Sequence, residues 1–312
     1  LKPFLGQAGR QHRAIGATMS AKMHCLCRHV VVLARSRQQP LSWRSFSSAT
    51  VPVPRSPIVL SKRMTARVTR GIMEGIDLMV CDMAGTTVQE GGLVYKTLQL
   101  SMQEHGLEVT DADIEPWHGA KKESVIEHFA RRAGTPSGEL EAKIRKISDA
   151  FVLAIGEAYF ADVSTIGPIN VGLLGYFGQL KRAGVKVALN TGYPQNIQEG
   201  LVKRLGFDKV VDAYISAYDV PHGRPYPYMI HNLMERLEIE NVHRVCKVGD
   251  SVRDIEEGRN AGCGLVVGVL SGADSAEALL GAGADVVADL VTDLPLPRTP
   301  RAQTGLRLPD LS

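Results

Sequence analysis

The sequence predicts an α/β fold, a doubly wound parallel sheet with a small helical cap inserted after its first strand, and three observations predict it. Beyond residue 73, short β-branched runs alternate with longer stretches whose apolar residues recur every three or four positions, the pattern of a parallel sheet covered by helices on both faces. About ninety residues separate the first strand from the helix that starts near residue 171. That is far longer than a crossover, which needs a dozen or more residues with its helix, so an inserted unit is expected. Several apolar runs end in Asp, Thr or Gly, and sheets of this kind bind ligands at the carboxyl ends of their strands.

Taken in order, the chain of 312 residues, 44% hydrophobic, has enough apolar content for one large or two ordinary domains. Its net charge of +3 hides a division: residues 1–73 hold 13 Lys or Arg and no acid, leaving 23 basic and 33 acidic residues, or −10, for 74–312. An acidic folded part lacks the clustered Lys and Arg that phosphate backbones require, so no nucleic-acid partner is expected. The acid-free, Arg- and Ser-rich opening has the composition of an organellar transit peptide, with a mitochondrial destination expected and a plastid as the alternative. Arg44-Ser45-Phe46-Ser47-Ser48 is similar to presequence cleavage sites, and Met19 or Met23 is the expected start. Read-through of untranslated sequence is the competing reading. The longest apolar run there, 30–34, falls far short of the ~20 residues of a membrane helix, so no membrane partner is expected. Cys25, Cys27, Cys81, Cys246 and Cys263 form no Cys-x-x-Cys motif, which suits a reducing compartment and small packed thiols rather than zinc.

Strands are predicted at 76–81, 185–190, 210–215, 244–248 and 265–270, with helices at 171–183, 196–205, 227–237 and 252–261 between them and Gly184 and Gly262 as C-caps. These make a core of 74–93 and 167–296. Helical periodicity at 93–105, 121–133 and 140–159 assigns 94–166 to the cap, and Gly167-Pro168 returns the chain to the core. The Pro- and Arg-rich stretch 297–312 has too little apolar content to bury and is expected to be disordered.

Four elements at predicted strand ends carry chemistry: Asp82 in DMAGTT, Thr191 in LNTGYP, Arg224 in DVPHGRPYP, and Asp250 with Asp254 in KVGDSVRD. Each alone is ordinary turn chemistry; their co-occurrence is the signal. A phosphoryl group is anionic, and Mg²⁺ held by Asp82, Asp250 and a backbone carbonyl, that of Ala84, would offset it through oxygen ligands. Asp82 is then the nucleophile that forms an aspartyl-phosphate. Thr191 and the amides of Gly85 and Thr86 could donate to phosphoryl oxygens, Arg224 supplies positive charge, and Asp254 supports the metal through a water or an outer contact. Position 84 sets the puzzle. A phosphomonoesterase of this plan needs an acid two residues past the nucleophile, an effect worth roughly 10²–10⁴-fold, and this chain has alanine there.

In this order the four motifs resemble those of the haloacid dehalogenase superfamily over nearly all of 74–295, which implies a Rossmann-like core. Ala84 together with TGYP, DVPHGRPYPYM and KVGDSVRDIEEGRNAG is most similar to phosphonoacetaldehyde hydrolase and its phosphonatase-like relatives. That resemblance implies cleavage of the C–P bond of phosphonoacetaldehyde, or a close phosphonate, to acetaldehyde and phosphate. A cap lysine forms a Schiff base with the aldehyde, so the carbon departs as an enamine and no alcohol oxygen needs a proton. The family's lysine lies three residues after a glycine, which selects Lys122 after Gly119, with Lys121 as fallback. Such an amine must be neutral, and therefore desolvated or near another cation.

The family places Met before that glycine and His three residues after the lysine, where this chain has His118 and Val125. His118 either takes acid–base duty from the other side of the loop or packs on Trp117. Gly192 and Tyr193 match family positions that line the site, although Tyr193 is equally a packing residue. The expected partner is a small phosphonate or phosphate, and a homodimer stays open. Two alternatives stand beside this reading: a phosphatase of a small phosphomonoester in which Lys122 only clamps substrate, and a non-catalytic binding or scaffold protein on the same fold.

Overall fold

A computed structural model describes residues 71–298. Residues 1–70 and 299–312, which hold nearly all of the expected leader and tail, lie outside the described residues.

Strand β1 (Leu78–Asp82) leads through the short β2 (Val88–Gln89) into four helices, α1 (Leu93–Glu104), α2 (Asp111–Ile114), α3 (Lys122–Arg132) and α4 (Ser137–Phe160). Strand β3 (Gly167–Pro168) brings the chain back by pairing antiparallel with β2. The alternating part then runs α5 (Leu173–Arg182), β4 (Lys186–Thr191), α6 (Gln195–Arg204), β5 (Ala213–Ser216), α7 (Tyr228–Arg236), β6 (Val245–Gly249), α8 (Val252–Ala261), β7 (Leu265–Val269), α9 (Ala276–Gly281) and β8 (Val286–Ala288). The six-stranded sheet has the order β5-β4-β1-β6-β7-β8 with every pair parallel. The chain builds outward from β1 to one edge and then crosses to the other side, so the carboxyl end of β1 lies at a topological switch point.

The central strand explains the core. Every residue of β1 is buried, with Met79 and Cys81 in one apolar cluster and Leu78 and Val80 in the other. Alternate side chains of a strand point to opposite faces, so a run apolar at successive positions covers both sides of a parallel sheet. The helices of the inserted cap close on themselves through Leu98, Met102, Ile126, Phe129, Ile147 and Phe151. The same cluster includes Met83 and Leu201 of the core, so the cap is packed onto the core over the end of β1. Each of these side chains, fully removed from water, contributes roughly 1.5–3 kcal/mol.

The departures from the sequence pattern are local. Strand β5 starts at Ala213 rather than 210, because the amides of Val210 and Val211 both return to Phe207 O at 2.9 Å and make a turn. Helix α5 starts at Leu173, leaving Val171 fully exposed. Helix α4 begins three residues ahead of its first buried position, Leu140. Strand β8, helix α9 and the four-residue α2 were not anticipated, since three to six residues are too few to show a period. Met73, at the end of the expected leader, is buried in the core.

Candidate active site

The sheet register assembles the floor of the site. Asp82 faces Asn190 on one neighbour, and Cys81 faces Val248 on the other, which brings Asp82, Thr191 and Asp250 to one edge. The chain leaves β1 through a tight turn in which Thr86 N, Thr87 N and Val88 N all donate to Met83 O. Gly85 is essential to it: its φ is +78°, and a Cβ there would lie 2.5 Å from Asp250 Oδ2 and 2.8 Å from Gly272 Cα.

This turn corrects one expectation. Gly85 N donates to Val88 O at 2.9 Å and Thr86 N to Met83 O at 3.3 Å, so neither amide is directed at a phosphoryl oxygen. The Thr86 side chain is fully buried and donates to Asp250 Oδ1 at 2.9 Å; it orients a carboxylate instead of touching substrate. Thr191 lines the cavity, and its Oγ1 accepts from Tyr193 N at 3.2 Å.

Below the surface lies a charge network. Arg224 Nη1 meets Asp82 Oδ1 at 2.6 Å, and its Nε lies 3.0 Å from Glu257 Oε2 and 3.1 Å from Asp254 Oδ1. Lys247 Nζ lies 2.8 Å from Asp254 Oδ1, 3.1 Å from Glu257 Oε2 and 2.8 Å from Asn190 Oδ1. The contacts to Asp254 Oδ1 are ion pairs without hydrogen-bond alignment, whereas Oδ2 of the same carboxylate accepts from Ser251 at the start of α8. Burial opposes ionisation of Asp254, but Arg224 and Lys247 outweigh it and hold its carboxyl below the usual range. For Asp82 burial wins over Arg224, and its pKa rises to about 6. Asp250 is pushed well up by burial and then by the charges of Asp82 and Asp254. Its own donors are neutral, Thr86 Oγ1 and Ala273 N.

Above the floor, a cavity of about 280 Å³ is lined by Asp82, Ala84, Gly85, His118, Gly119, Lys122, Thr191, Gly192, Tyr193, Arg224 and Asp250, together with Glu90 and Tyr95. The cap loop reaches it because glycines on both sides permit close approach. A Cβ on Gly192 would lie 2.5 Å from Ala120 O, and one on Gly119, at φ +77°, would lie 2.6 Å from Ser251 Oγ. Lys122, at the first turn of α3, is 3% exposed. Its Nζ donates to Tyr95 Oη at 3.0 Å and Ala120 O at 3.1 Å, lies 4.3 Å from the centre of the Tyr95 ring, and makes no ion pair among the described residues. Desolvation lowers its pKa to about 7, with Asp82 opposing and Arg224 reinforcing the shift.

Lys121 is not a substitute. It points away, to Glu123 at 3.4 Å and the Tyr218 ring at 4.5 Å, so desolvation and not a neighbouring lysine is what depresses Lys122. His118 does not pack on Trp117; its ring lies 4.5 Å from that of Tyr95, and burial lowers its pKa. Trp117 packs on His128, Phe129 and Arg253.

With the geometry in place, the likeness to known proteins is specific. The family model described as haloacid dehalogenase-like hydrolase matches residues 76–262. The chain belongs to the haloacid dehalogenase-like hydrolases. The phosphonoacetaldehyde hydrolase of Bacillus cereus is 30% identical over 212 residues, covering 63% of this chain and 76% of the relative. That of Parabacteroides distasonis is 28% identical over 260 residues, covering 72% and 96%. A phosphonoacetaldehyde hydrolase-like protein of Oleispira antarctica superposes with a TM-score of 0.59 at 23% identity, over 71% of this chain and 91% of that one, which shows the shared fold.

For this haloacid dehalogenase-like hydrolase the carboxylates fit a Mg²⁺ site. Asp82, Asp250 and Asp254 place oxygens within 4.8 Å of one another, all buried. The network holds four carboxylates, counting Glu257, against the two cations Arg224 and Lys247. A divalent cation would offset the difference beside Asp250, which has no cationic partner of its own among the described residues. Asp82 and Asp250 would be the direct ligands with the carbonyl of Ala84, whereas Asp254 is already engaged by Arg224, Lys247 and Ser251.

The sequence reading missed Lys247, Glu257, Asn190, Tyr95, Glu90 and Tyr159. Two of these had a signal. Lys247 sits inside the apolar strand run of VCKVGD, where a charge is almost never buried unpaired. Glu257 follows Asp254 by three residues on one helix face.

Proposed function

We propose that this hydrolase cleaves the C–P bond of phosphonoacetaldehyde, or of a close phosphonate, to acetaldehyde and phosphate. One observation carries the reading: in the cavity that holds Asp82, the Lys122 amine is buried, unpaired and depressed to a pKa of about 7, while Ala84 stands where a leaving-group acid would be. A lysine built as a phosphate clamp would keep its charge; this one is built to lose it. The phosphonoacetaldehyde hydrolases related to this chain at about 30% identity support the same reading.

Neutral Lys122 Nζ attacks the aldehyde carbon. With one proton taken up, the carbonyl oxygen leaves as water and an iminium remains. The free oxygen of Asp82, whose Oδ1 is held by Arg224, attacks phosphorus. The electron pair of the breaking C–P bond moves into the enamine, leaving an aspartyl-phosphate. Protonation at carbon, imine hydrolysis and hydrolysis of the acyl phosphate release acetaldehyde and phosphate and restore both residues. Mg²⁺, when bound, neutralises phosphoryl charge and brings nucleophile and phosphorus together. Arg224 orients Asp82 throughout, and the dry pocket of Tyr95 and Tyr193 protects the imine from early hydrolysis.

The test is incubation with phosphonoacetaldehyde and Mg²⁺, measuring acetaldehyde and phosphate, followed by borohydride trapping and mass spectrometry. Stoichiometric product and a reduced adduct on Lys122 are expected. Hydrolysis of phosphomonoesters in their place, with Lys122 unmodified, would make the protein a phosphatase.

A further inference from the structure

Glu90 lies on the turn between β2 and α1, lines the cavity, and has no part in the chemistry described so far. Its carboxylate meets only neutral donors: Gly92 N at 3.0 Å on Oε1, and Val94 N at 2.8 Å and the Tyr159 hydroxyl at 3.0 Å on Oε2. Among the described residues no Lys or Arg pairs with it. Tyr159 is fully buried on α4, and its hydroxyl lies 2.8 Å from that of Tyr193, whose ring centre is 5.8 Å from Lys122 Nζ. Three donors and no cation make a seat for an anion whose positive partner has yet to form.

Lys122 is the complement, an amine without a carboxylate. Once it condenses with an aldehyde, its nitrogen must stay positively charged, because only the iminium can accept the electron pair released from phosphorus. A positive charge in a dry pocket is costly unless a negative one faces it. The groups around Lys122 can be taken in turn. Asp82, on β1, is paired with Arg224 and loses its charge when it is phosphorylated. Asp250, beyond β6, faces Asp82 and the metal position. Arg224 is itself a cation, and Tyr95 on α1 and His118 on the cap loop are neutral donors or acceptors. Asp254 and Glu257 are held by Arg224 and Lys247. Glu90 remains.

We propose that Glu90 is the counter-ion of the iminium that forms at Lys122, acting across the cavity and through the Tyr159–Tyr193 pair it orders. The proposal rests on the imine reading above. Glu90 forms no bond in the cycle; its charge keeps the proton on the iminium nitrogen until electrons arrive from the C–P bond. Burial raises the Glu90 pKa, and the donors Val94 N, Tyr159 and Gly92 N together with a positive charge at Lys122 oppose that rise; Glu90 in turn favours the charged form of Lys122.

The test is hydride trapping with phosphonoacetaldehyde over a pH series in the full-length wild type and in Glu90→Gln, Glu90→Asp and Tyr159→Phe, reading adduct mass at Lys122 and the thermal unfolding of each protein. The Gln variant should lose adduct by about tenfold, equivalent to ~1.4 kcal/mol, with its whole pH window displaced to lower pH because the amine and the iminium both lose a stabilising negative charge. The Asp variant should recover part of the yield, and Tyr159→Phe, which keeps the carboxylate, should retain more adduct than Gln. Equal yield and pH window in wild type and Gln would overturn the counter-ion role while leaving the imine intact, as would a folded Tyr159→Phe as impaired as Gln. Absence of adduct in the wild type would instead overturn the imine reading, and this proposal with it. Should the Gln variant not fold, the Asp variant decides: a reduced yield supports the role, and an unchanged yield ends it.

Discussion

The Tyr95 hydroxyl holds Lys122. Its oxygen accepts from Nζ at 3.0 Å and from Gly119 N at 2.5 Å, so one phenol on the first cap helix fixes both the amine and the loop that carries it. The nitrogen lines the same cavity as Asp82 and forms no ion pair among the described residues, and its chemistry can be tested directly.

Lys122→Arg should abolish phosphonoacetaldehyde cleavage, because guanidinium cannot become a neutral nucleophile at working pH. Asp82→Asn should also be inactive, by as much as ~10⁶-fold if it behaves as other covalent nucleophiles do. Product release in single-turnover assays checks both, and substantial cleavage by the Arg variant would eliminate an imine at residue 122.

The pH profile follows from Lys122, which must be neutral to attack and whose pKa is about 7. The rate on phosphonoacetaldehyde should fall as pH drops through about 7. A flat profile through this range would show that the amine does not titrate in the rate-limiting form.

The buried amine also has a stability consequence. With a folded pKa of about 7 against 10.5 unfolded, the unfolded chain binds more protons between those values. Stability therefore rises with pH across that window, and the cost of Lys122 is greatest below it. Lys122→Met should raise stability at neutral pH by a few kcal/mol, with the gain shrinking toward pH 10.5 and activity lost. Denaturant unfolding at both ends of the window measures it; no gain at either end would mean the amine is not desolvated.

Mg²⁺ should stabilise the fold by binding between Asp82 and Asp250, by about 2.7 kcal/mol at a hundredfold excess over Kd, seen as a higher melting temperature, and chelation should remove the activity. Asp250→Asn should erase the thermal response. A variant that still responds would place the metal elsewhere.

Ala84→Asp should raise phosphomonoester hydrolysis by roughly 10²–10⁴-fold, the value of a general acid, since residue 84 lines the cavity. An unchanged rate would assign reaction type to the cap instead.

Much was legible in the residue order. The alternation of apolar runs with helical periods determined the parallel sheet and the place of the insertion, because strand and helix periods are local properties of neighbouring residues. The residues at strand ends, Asp82, Thr191 and Asp250, were legible for the same reason: parallel strands bring their carboxyl ends to one edge. The choice of Lys122, with Lys121 as fallback, came from its place after Gly119; the burial of its amine, the wiring of Glu90 through Tyr159 to Tyr193, the joint grip of Arg224 and Lys247 on Asp254 and Glu257, and the internal use of the Gly85 and Thr86 amides were decided by tertiary structure alone. Desolvation, ion pairing and hydrogen-bond direction depend on which distant segments meet, and the packing of the cap on the core settles that.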